Sequence, residues 1–245
     1  MNRFYAGEAP AADKLVPLSR EDTLHAVRVL RLKPGDRAEL FWQDQRYLAE
    51  AVSLDSESAL FRVLSPLPST EARLRITLFQ GISKADRMEL TIQKAVELGA
   101  EAVVPVAMTR CVARLEPGDA GRKIERWQKI AREACKQSGR CVEPAVSTPV
   151  TIPALCRALA GYDAALVPWE EAEGYGPAAF HRDHPEVRRL ALVIGPEGGI
   201  TPEEIGALQA AGCRPVTLGP RILRTETAGP AAIAALMALY GEMDG

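Results

Sequence analysis

Leu190-Ala-Leu-Val-Ile-Gly-Pro-Glu-Gly-Gly-Ile-Thr-Pro-Glu-Glu204 decides how the rest of the chain is read. Leu190 to Ile194 is an unbroken apolar run, the pattern of a strand covered on both faces. Gly195, Pro196, Gly198 and Gly199 break it, and glycines there allow a sharp turn and a close approach to the main chain. Thr201 reads as a helix N-cap, with Pro202 at the first helical position and Glu203 and Glu204 in the first turn. The bend therefore lies at the C-terminal end of a buried strand and ahead of a helix, which is where open α/β sheets bind ligands. It is neither the Gly-x-Gly-x-x-Gly dinucleotide fingerprint nor a P-loop. The plain alternative is a tight strand–helix connection that binds nothing.

A second stretch repeats the grammar: Leu218-Gly-Pro-Arg-Ile-Leu-Arg-Thr-Glu-Thr-Ala228. It follows a short apolar run read as a strand over 215–218 and precedes a helix read over 231–240. Thr227 is the N-cap expected for that helix, which leaves Pro230 in its first turn, where a missing N–H is harmless. Four polar residues, Arg224, Thr225, Glu226 and Thr227, stand between apolar elements where a connector could be short.

The pair of bends resembles the SPOUT class of RNA methyltransferases, and more closely the RsmE family, which methylates N3 of a uridine in 16S ribosomal RNA with S-adenosyl-L-methionine. Further segments are similar to that family. They are His25-Ala-Val-Arg-Val-Leu-Arg31, Lys84-Ala-Asp-Arg-Met-Glu89 running on to Glu97-Leu-Gly99, Thr109-Arg110, and Arg126-Trp127 through Gln137-Ser-Gly-Arg140. The resemblance covers nearly the whole chain. It implies an α/β SPOUT-type parallel sheet with a trefoil knot, preceded by a small PUA-like β-barrel, and a homodimer with cofactor pockets near the subunit interface. The Ala-rich stretch from Ala231 to Leu239 suits close packing against a partner or within its own subunit.

Composition sets the bounds. The chain has 245 residues with net charge −2, enough for one large domain or two modest ones. The N-terminus lacks a signal-peptide core and no stretch is apolar for long enough to span a bilayer, so a cytoplasmic protein without membrane partners is expected. Cys111, Cys135, Cys141, Cys156 and Cys213 are odd in number and lack a C-x-x-C pair; they read as small buried apolar residues. His181-x-x-His184 has a usable ligand spacing but no supporting Cys or second pair, so a surface turn is expected there and no metal.

The net charge argues against a nucleic-acid binder, but its distribution does not. Between Thr109 and Arg140 stand nine basic residues (Arg110, Arg114, Arg122, Lys123, Arg126, Lys129, Arg132, Lys136, Arg140) against Glu116, Asp119, Glu125 and Glu133. A solvated helix face with salt bridges accounts for part of this excess.

In chain order, Arg3-Phe-Tyr5 reads as a strand, and Ser19 to Asp22 offer N-caps for a helix with Leu24, Val27 and Leu30 on one face. Lys33-Pro-Gly-Asp36 reads as a type II turn. Strands follow over 37–42, 47–53 and 59–64, then a linker, Ser65-Pro-Leu-Pro-Ser-Thr70. Domains are therefore expected over 1–69, a PUA-like RNA-binding barrel, and 70–245, the methyltransferase domain. In the second, strands and helices alternate: strand 74–80, helix 84–98 ended by Gly99, strand 102–108, helix 120–137, helix 152–160 and strand 163–167 ahead of Pro168-Trp-Glu-Glu171.

The resemblance assigns roles. The cofactor wall is drawn from Pro168, Ile194, Gly195, Pro196, Gly198, Gly199, Leu218, Gly219, Ile222, Leu223, Thr225, Thr227 and Ala228. RNA contacts are drawn from Arg3, His25, Arg28, Arg31, Lys84, Arg87, Arg110, Gln137, Ser138 and Arg140. Methyl transfer is an in-line displacement in which alignment supplies much of the rate. N3 of uracil carries a proton that must leave, and the base must be unpaired to reach the methyl. Arg224 suits charge developing on the uracil oxygens. Glu197 or Glu226 suits the proton, or instead the sulfonium; a solvent-exposed turn for Glu197 and helix N-terminal support for Glu226 are the plain alternatives. Three rival readings stand beside this one: the same chemistry on another RNA such as tRNA, a non-catalytic ribosome-assembly factor, or a generic nucleotide-binding α/β enzyme, which ATP or NAD binding would support.

Overall fold

A computed structural model describes residues 1–11, 14–112 and 120–244. Arg114, Glu116 and Asp119, counted above in the basic stretch, lie outside the described residues. The chain divides into two compact units, residues 1–71 with 135–143, and residues 72–134 with 144–245.

In the first unit the strands are β1 (Asn2–Tyr5), β2 (Leu15–Pro17), β3 (Arg37–Trp42), β4 (Gln45–Leu54) and β5 (Ala59–Leu67), with α1 (Arg20–Leu24) after β2. They form one sheet in the order β1-β3-β4-β5-β2. A bridge between Ala6 and Leu18 ties the two edge strands together, closing the sheet into a barrel and removing its edges. Phe4, Val16, Leu40 and Phe61 fill the interior, with the Phe4 and Phe61 rings 5.9 Å apart. The turn before β3 forms as read: Asp36 N–H donates to the Lys33 carbonyl at 3.0 Å, and Gly35 takes φ +92°.

Three expectations change here. β5 continues to Leu67, so the first half of the expected linker is strand, with Pro66 opposite Tyr47. Beyond Arg62 this strand has no β2 partner, and an open flank is where a strand tolerates proline. The helix read through Leu30 stops at Leu24, and a π-turn follows over His25–Val29. That wider turn breaks the 3.6 periodicity, so Asp22, Thr23 and Ala26 are the buried positions while Leu24, Val27 and Leu30 are half-buried. The segment 135–143 also joins this unit. Glu71 accepts hydrogen bonds from Arg140 Nη2 (2.6 Å), Cys141 N (2.8 Å) and Val142 N (3.1 Å), and Lys136 pairs with Asp22 at 3.1 Å.

The second unit alternates strand and helix: β6 (Arg75–Gly81), α2 (Ala85–Glu97), β7 (Ala102–Ala107), α3 (Ala120–Ser138, whose last turn from Cys135 belongs to the first unit), β8 (Ala145–Val146), β9 (Val150–Thr151), α4 (Ile152–Ala158), β10 (Ala164–Pro168), α5 (Pro177–Asp183), β11 (Arg189–Ile194), α6 (Pro202–Ala210), β12 (Cys213–Val216) and α7 (Thr225–Leu239). The sheet runs β12-β10-β11-β6-β7-β8, with β9 also on β7, and every pairing is parallel. β11 lies between β10 and β6, and Leu190 to Ile194 are at most 2 % exposed. A continuous apolar run is what such a position requires.

The last strand is β12 at Cys213–Val216 rather than over 215–218. Gly212 takes φ +88° and ends the preceding helix, so pairing begins at once, Cys213 opposite Ala165. Pro215 is acceptable because β12 is a sheet edge. His181-x-x-His184 is no surface turn: His181 lies in α5 and stacks edge-on against Tyr240 at 4.5 Å, and the His184 ring packs on Phe180 at 5.1 Å. Of the cysteines, Cys135, Cys141 and Cys213 are buried while Cys111 and Cys156 are half-buried. Burial pushes the Cys213 thiol up to about 12.

Candidate active site

The site grows from the end of β11. Gly199 N–H donates to the Pro196 carbonyl at 2.9 Å, and Gly199 takes φ +74°, a conformation that favours glycine. Gly81, at the end of neighbouring β6, lies so close to this bend that a Cβ there would stand 2.5 Å from Pro196 N. α6 then starts as read, with a reciprocal capping box: Glu204 N donates to Thr201 Oγ1 (3.3 Å) and Thr201 N to Glu204 Oε2 (3.0 Å).

The second bend leaves β12 at Val216. Thr217 N donates to the Tyr175 carbonyl at 2.9 Å, and Gly219 N to Thr217 Oγ1 at 3.1 Å. α7 begins earlier than expected. Arg224, not Thr227, is its N-cap, and both Thr227 N and Ala228 N donate to the Arg224 carbonyl at 2.8 Å. Pro230 consequently falls inside the helix.

This early start places Thr225 where it fastens the two bends. Its hydroxyl donates to the Gly195 carbonyl at 2.6 Å. Gln80 Nε2, fully buried at the end of β6, donates to Thr225 Oγ1 at 2.9 Å and to the Gly81 carbonyl at 3.1 Å. Thr225, expected in the cofactor wall, is 7 % exposed and acts as a clasp.

Between the bends lies a cleft of about 820 Å³, within the size range of small-molecule sites. The structure brings to it Pro168, Ile194, Gly195, Pro196, Gly199, Leu218, Gly219, Ile222, Leu223, Thr225 and Ala228, together with Arg87, Glu197, Arg224 and Glu226. Two expected residues do not line it. Gly198 faces Arg110, whose Cβ would be 2.8 Å from an added Cβ and whose Nη1 donates to the Gly198 carbonyl at 3.2 Å. Thr227 is exposed in the first turn of α7. The sequence reading missed Trp169, Glu170, Ala172, Glu173 and Gly174, the loop after β10, and Thr217, Pro220 and Arg221. Pro168-Trp-Glu-Glu171 was the available signal, and position in the sheet is what gives it meaning: Trp169 N–H donates to the Val216 carbonyl at 3.1 Å, beside the second bend.

The charged groups at the cleft form a chain. Glu197 Oε1 accepts from Lys84 N (2.9 Å) and Arg87 Nη1 (3.2 Å), so Glu197 caps α2 and is not the solvent-exposed turn residue of the plain alternative. Glu226 Oε1 lies 3.8 Å from Arg87 Nε and 4.0 Å from Arg224 Nη1. Among the described residues, the buried second oxygens of both glutamates have no hydrogen-bond partner. Arg224 is 76 % exposed at the mouth. Such a lining, with glycine and main chain on the walls and paired charges of both signs, suits a flat ring joined to a charged tail. It therefore fits S-adenosylmethionine.

The RNA candidates scatter. Lys84 and Arg110 are exposed beside the first bend, while His25 and Arg28 are exposed on the π-turn of the barrel unit and Arg31 is exposed just beyond it, with φ +54°. Arg3 is held by its own unit: Nη1 donates to the Gln137 carbonyl at 2.8 Å and the guanidinium lies over Gly139. Gln137 is exposed, and Ser138 Oγ donates to the Cys135 carbonyl at 3.3 Å. Arg140 is corrected outright, being 6 % exposed and paired with Glu71. Among the described residues no three His, Cys, Asp or Glu side chains converge as metal ligands, and no helix is long and apolar enough to cross a membrane.

Comparison with known proteins agrees with this geometry. The family described as RNA methyltransferase domain matches residues 70–237, and the family described as RNA methyltransferase PUA domain matches residues 18–64. The chain is 34 % identical to ribosomal RNA small subunit methyltransferase E of Bacillus subtilis, covering 89 % of this chain and 88 % of that protein. It is 32 % identical to the Mycobacterium tuberculosis protein of the same name, covering 98 % and 93 %. The crystal structure of the Neisseria gonorrhoeae ribosomal RNA small subunit methyltransferase E bound to S-adenosyl methionine superposes with TM-score 0.83 and 35 % identity, covering 98 % of each chain. With both of its units matched and its two bends fastened into one cleft, the chain belongs to the ribosomal RNA small subunit methyltransferase E family.

Proposed function

We propose that this protein transfers a methyl group from S-adenosylmethionine to N3 of a uridine in small-subunit ribosomal RNA. One observation carries the reading: the hydroxyl of Thr225 and the carbonyl of Gly195, 2.6 Å apart, unite two distant bends in one cleft. A cleft built this way offers main-chain groups to an adenine ring and leaves the charged chain Arg87–Glu197–Glu226–Arg224 at one end.

When bound, S-adenosylmethionine supplies an electrophilic methyl on a sulfonium. The protein's task is then to align the acceptor ring and to manage one proton. Main-chain groups at Ile194, Gly195, Gly199, Leu218 and Leu223 hold the donor. Arg224 reaches from the mouth to the uracil oxygens, where a guanidinium offsets the charge left when N3 loses its proton. Glu226, beside Arg224, is the better placed proton acceptor. Glu197 already takes two hydrogen bonds on one oxygen and serves the shape of the bend.

The barrel unit, residues 1–69 in this reading, presents His25, Arg28 and Arg31 to RNA, while Lys84 and Arg110 stand near the first bend of the methyltransferase domain, residues 70–245. Family membership supports a trefoil-knotted path for the last strands, a homodimer and a cytoplasmic place of action on ribosomal RNA or the 30S particle. Nucleoside mass spectrometry of ribosomal RNA from cells lacking the protein tests the proposal. Loss of one 3-methyluridine from small-subunit RNA is expected. An unchanged small-subunit RNA with a missing tRNA mark would overturn the target, and no missing mark would overturn the activity.

A further inference from the structure

Arg87 is one of the RNA-contact candidates of the sequence, but its surroundings give it other work. It lies in the first turn of α2, and its guanidinium reaches carboxylates from both bends: Glu197 at 3.2 Å and Glu226 at 3.8 Å. Both glutamate side chains are 14 % exposed, and Arg87 is 33 % exposed. Arg224, the other cation near Glu226, is 76 % exposed and no closer than 4.0 Å. Arg87 is thus the inner cation of the cleft and Arg224 the outer one. Without Arg87, two mostly buried carboxylates would lose the positive charge between them. Leaving a buried charge uncompensated is costly enough to move a side chain.

We propose that Arg87 is a positioning residue: it fixes the Glu226 carboxylate beside Arg224 by tying it, through Glu197, to the N-terminus of α2. Glu197 is the anchor, because its Oε1 takes both the Lys84 amide and Arg87. Glu226 is the passenger, because its contacts to both arginines are charge contacts of 3.8 Å and 4.0 Å rather than hydrogen bonds. Arg87 therefore gives little to RNA phosphates, and its effect reaches the reaction through Glu226. This inference rests on the methyltransferase reading.

Arg87→Met, Arg87→Lys, Glu226→Gln and the Arg87→Met/Glu226→Gln pair test it in the full-length protein, with small-subunit particles as substrate. Arg87→Met is expected to lower kcat by about tenfold or more while KM for RNA stays within about twofold, the signature of an interaction that matters after binding. Arg87→Lys should recover part of the rate. The double variant should be no slower than Glu226→Gln alone, because the two residues act as one unit. A raised KM with unchanged kcat and a shallower salt dependence would make Arg87 a phosphate ligand and overturn the proposal. Additive losses would also overturn it. Amide hydrogen exchange provides a readout independent of catalysis. Arg87→Met should speed exchange in the first turn of α7 and at the 196–199 bend, and unchanged protection there overturns the positioning claim. A wild-type protein that methylates no RNA would instead strike the proposed function, leaving the exchange result to decide on Arg87.

Discussion

Replacing Thr225 by valine removes the clasp between the bends while keeping the side-chain volume. The hydroxyl gives one hydrogen bond to the Gly195 carbonyl at 2.6 Å and takes one from Gln80 Nε2 at 2.9 Å. Each bond contributes about 1 kcal/mol net, and a buried group left without a partner costs about 1–3 kcal/mol. Gln80 keeps its bond to the Gly81 carbonyl, so the larger loss falls on the Gly195 carbonyl, half-buried at the wall of the cleft. With the Gln80 bond counted at about 1 kcal/mol and the Gly195 carbonyl at about 1–3 kcal/mol, the sum is about 2–4 kcal/mol, a large share of the roughly 5–15 kcal/mol that holds a domain folded. Thr225→Ser keeps both bonds and loses one methyl group, at a cost of about 1 kcal/mol. Urea unfolding of both variants, compared at unchanged m-value, should place valine below serine by about 1–3 kcal/mol. Calorimetry with S-adenosylmethionine should show weakened binding for valine and near wild-type binding for serine. Valine matching serine in both assays would refute the clasp.

Three further outcomes follow from the same geometry. Gly81→Ala places a Cβ 2.5 Å from Pro196 N; forcing the bend outward should cost about 1–3 kcal/mol and weaken cofactor binding, read by the same two assays. Glu71→Ala removes the carboxylate that pairs with the 6 %-exposed Arg140 and accepts from the amides of Cys141 and Val142; a loss of about 3 kcal/mol is expected in thermal or urea unfolding. Asp163 accepts hydrogen bonds from Arg188 N and Arg189 N at 2.9 and 2.8 Å, which, chiefly through Arg189, hold its carboxyl below the usual aspartate range. A lowered folded value means this stabilisation is present above the ordinary aspartate pKa and disappears as pH falls through the lowered one. Thermal unfolding of Asp163→Asn should therefore lose part of the wild-type acid sensitivity, and identical acid profiles would contradict the assignment.

The ligand end of the sheet was legible because it is written in local chemistry. An apolar run too continuous for a half-exposed strand, then glycines and a capping Thr201, fixes strand, bend and helix without tertiary information. The second bend was legible as a bend but not in its phase. Thr227 has the right side chain for a cap, yet the helix starts at Thr225, where the hydroxyl finds the Gly195 carbonyl, 30 residues away in sequence. Local rules rank Thr227 well and cannot register that distant partner. The loop from Trp169 to Gly174 carries only the weak signal of Pro168-Trp-Glu-Glu171, and becomes part of the site because β10 lies beside β12. Arg3 and Arg140 show the converse. Each looks like a free cation in sequence, and each is taken up by groups more than 60 residues away. The residues 135–143 look like the end of a basic helix and its exit, while Glu71 and Lys136 contacts assign them to the barrel unit.

A crystal of the protein soaked with S-adenosylmethionine gives the most direct test. Density for the adenosyl group between the Gly195–Gly199 bend and the Leu218–Ala228 bend, with the sulfonium end toward Glu226 and Arg224, is the expected result. Density at another place on the molecule, or a Thr225–Gly195 pair that is apart when the cofactor is bound, would contradict it.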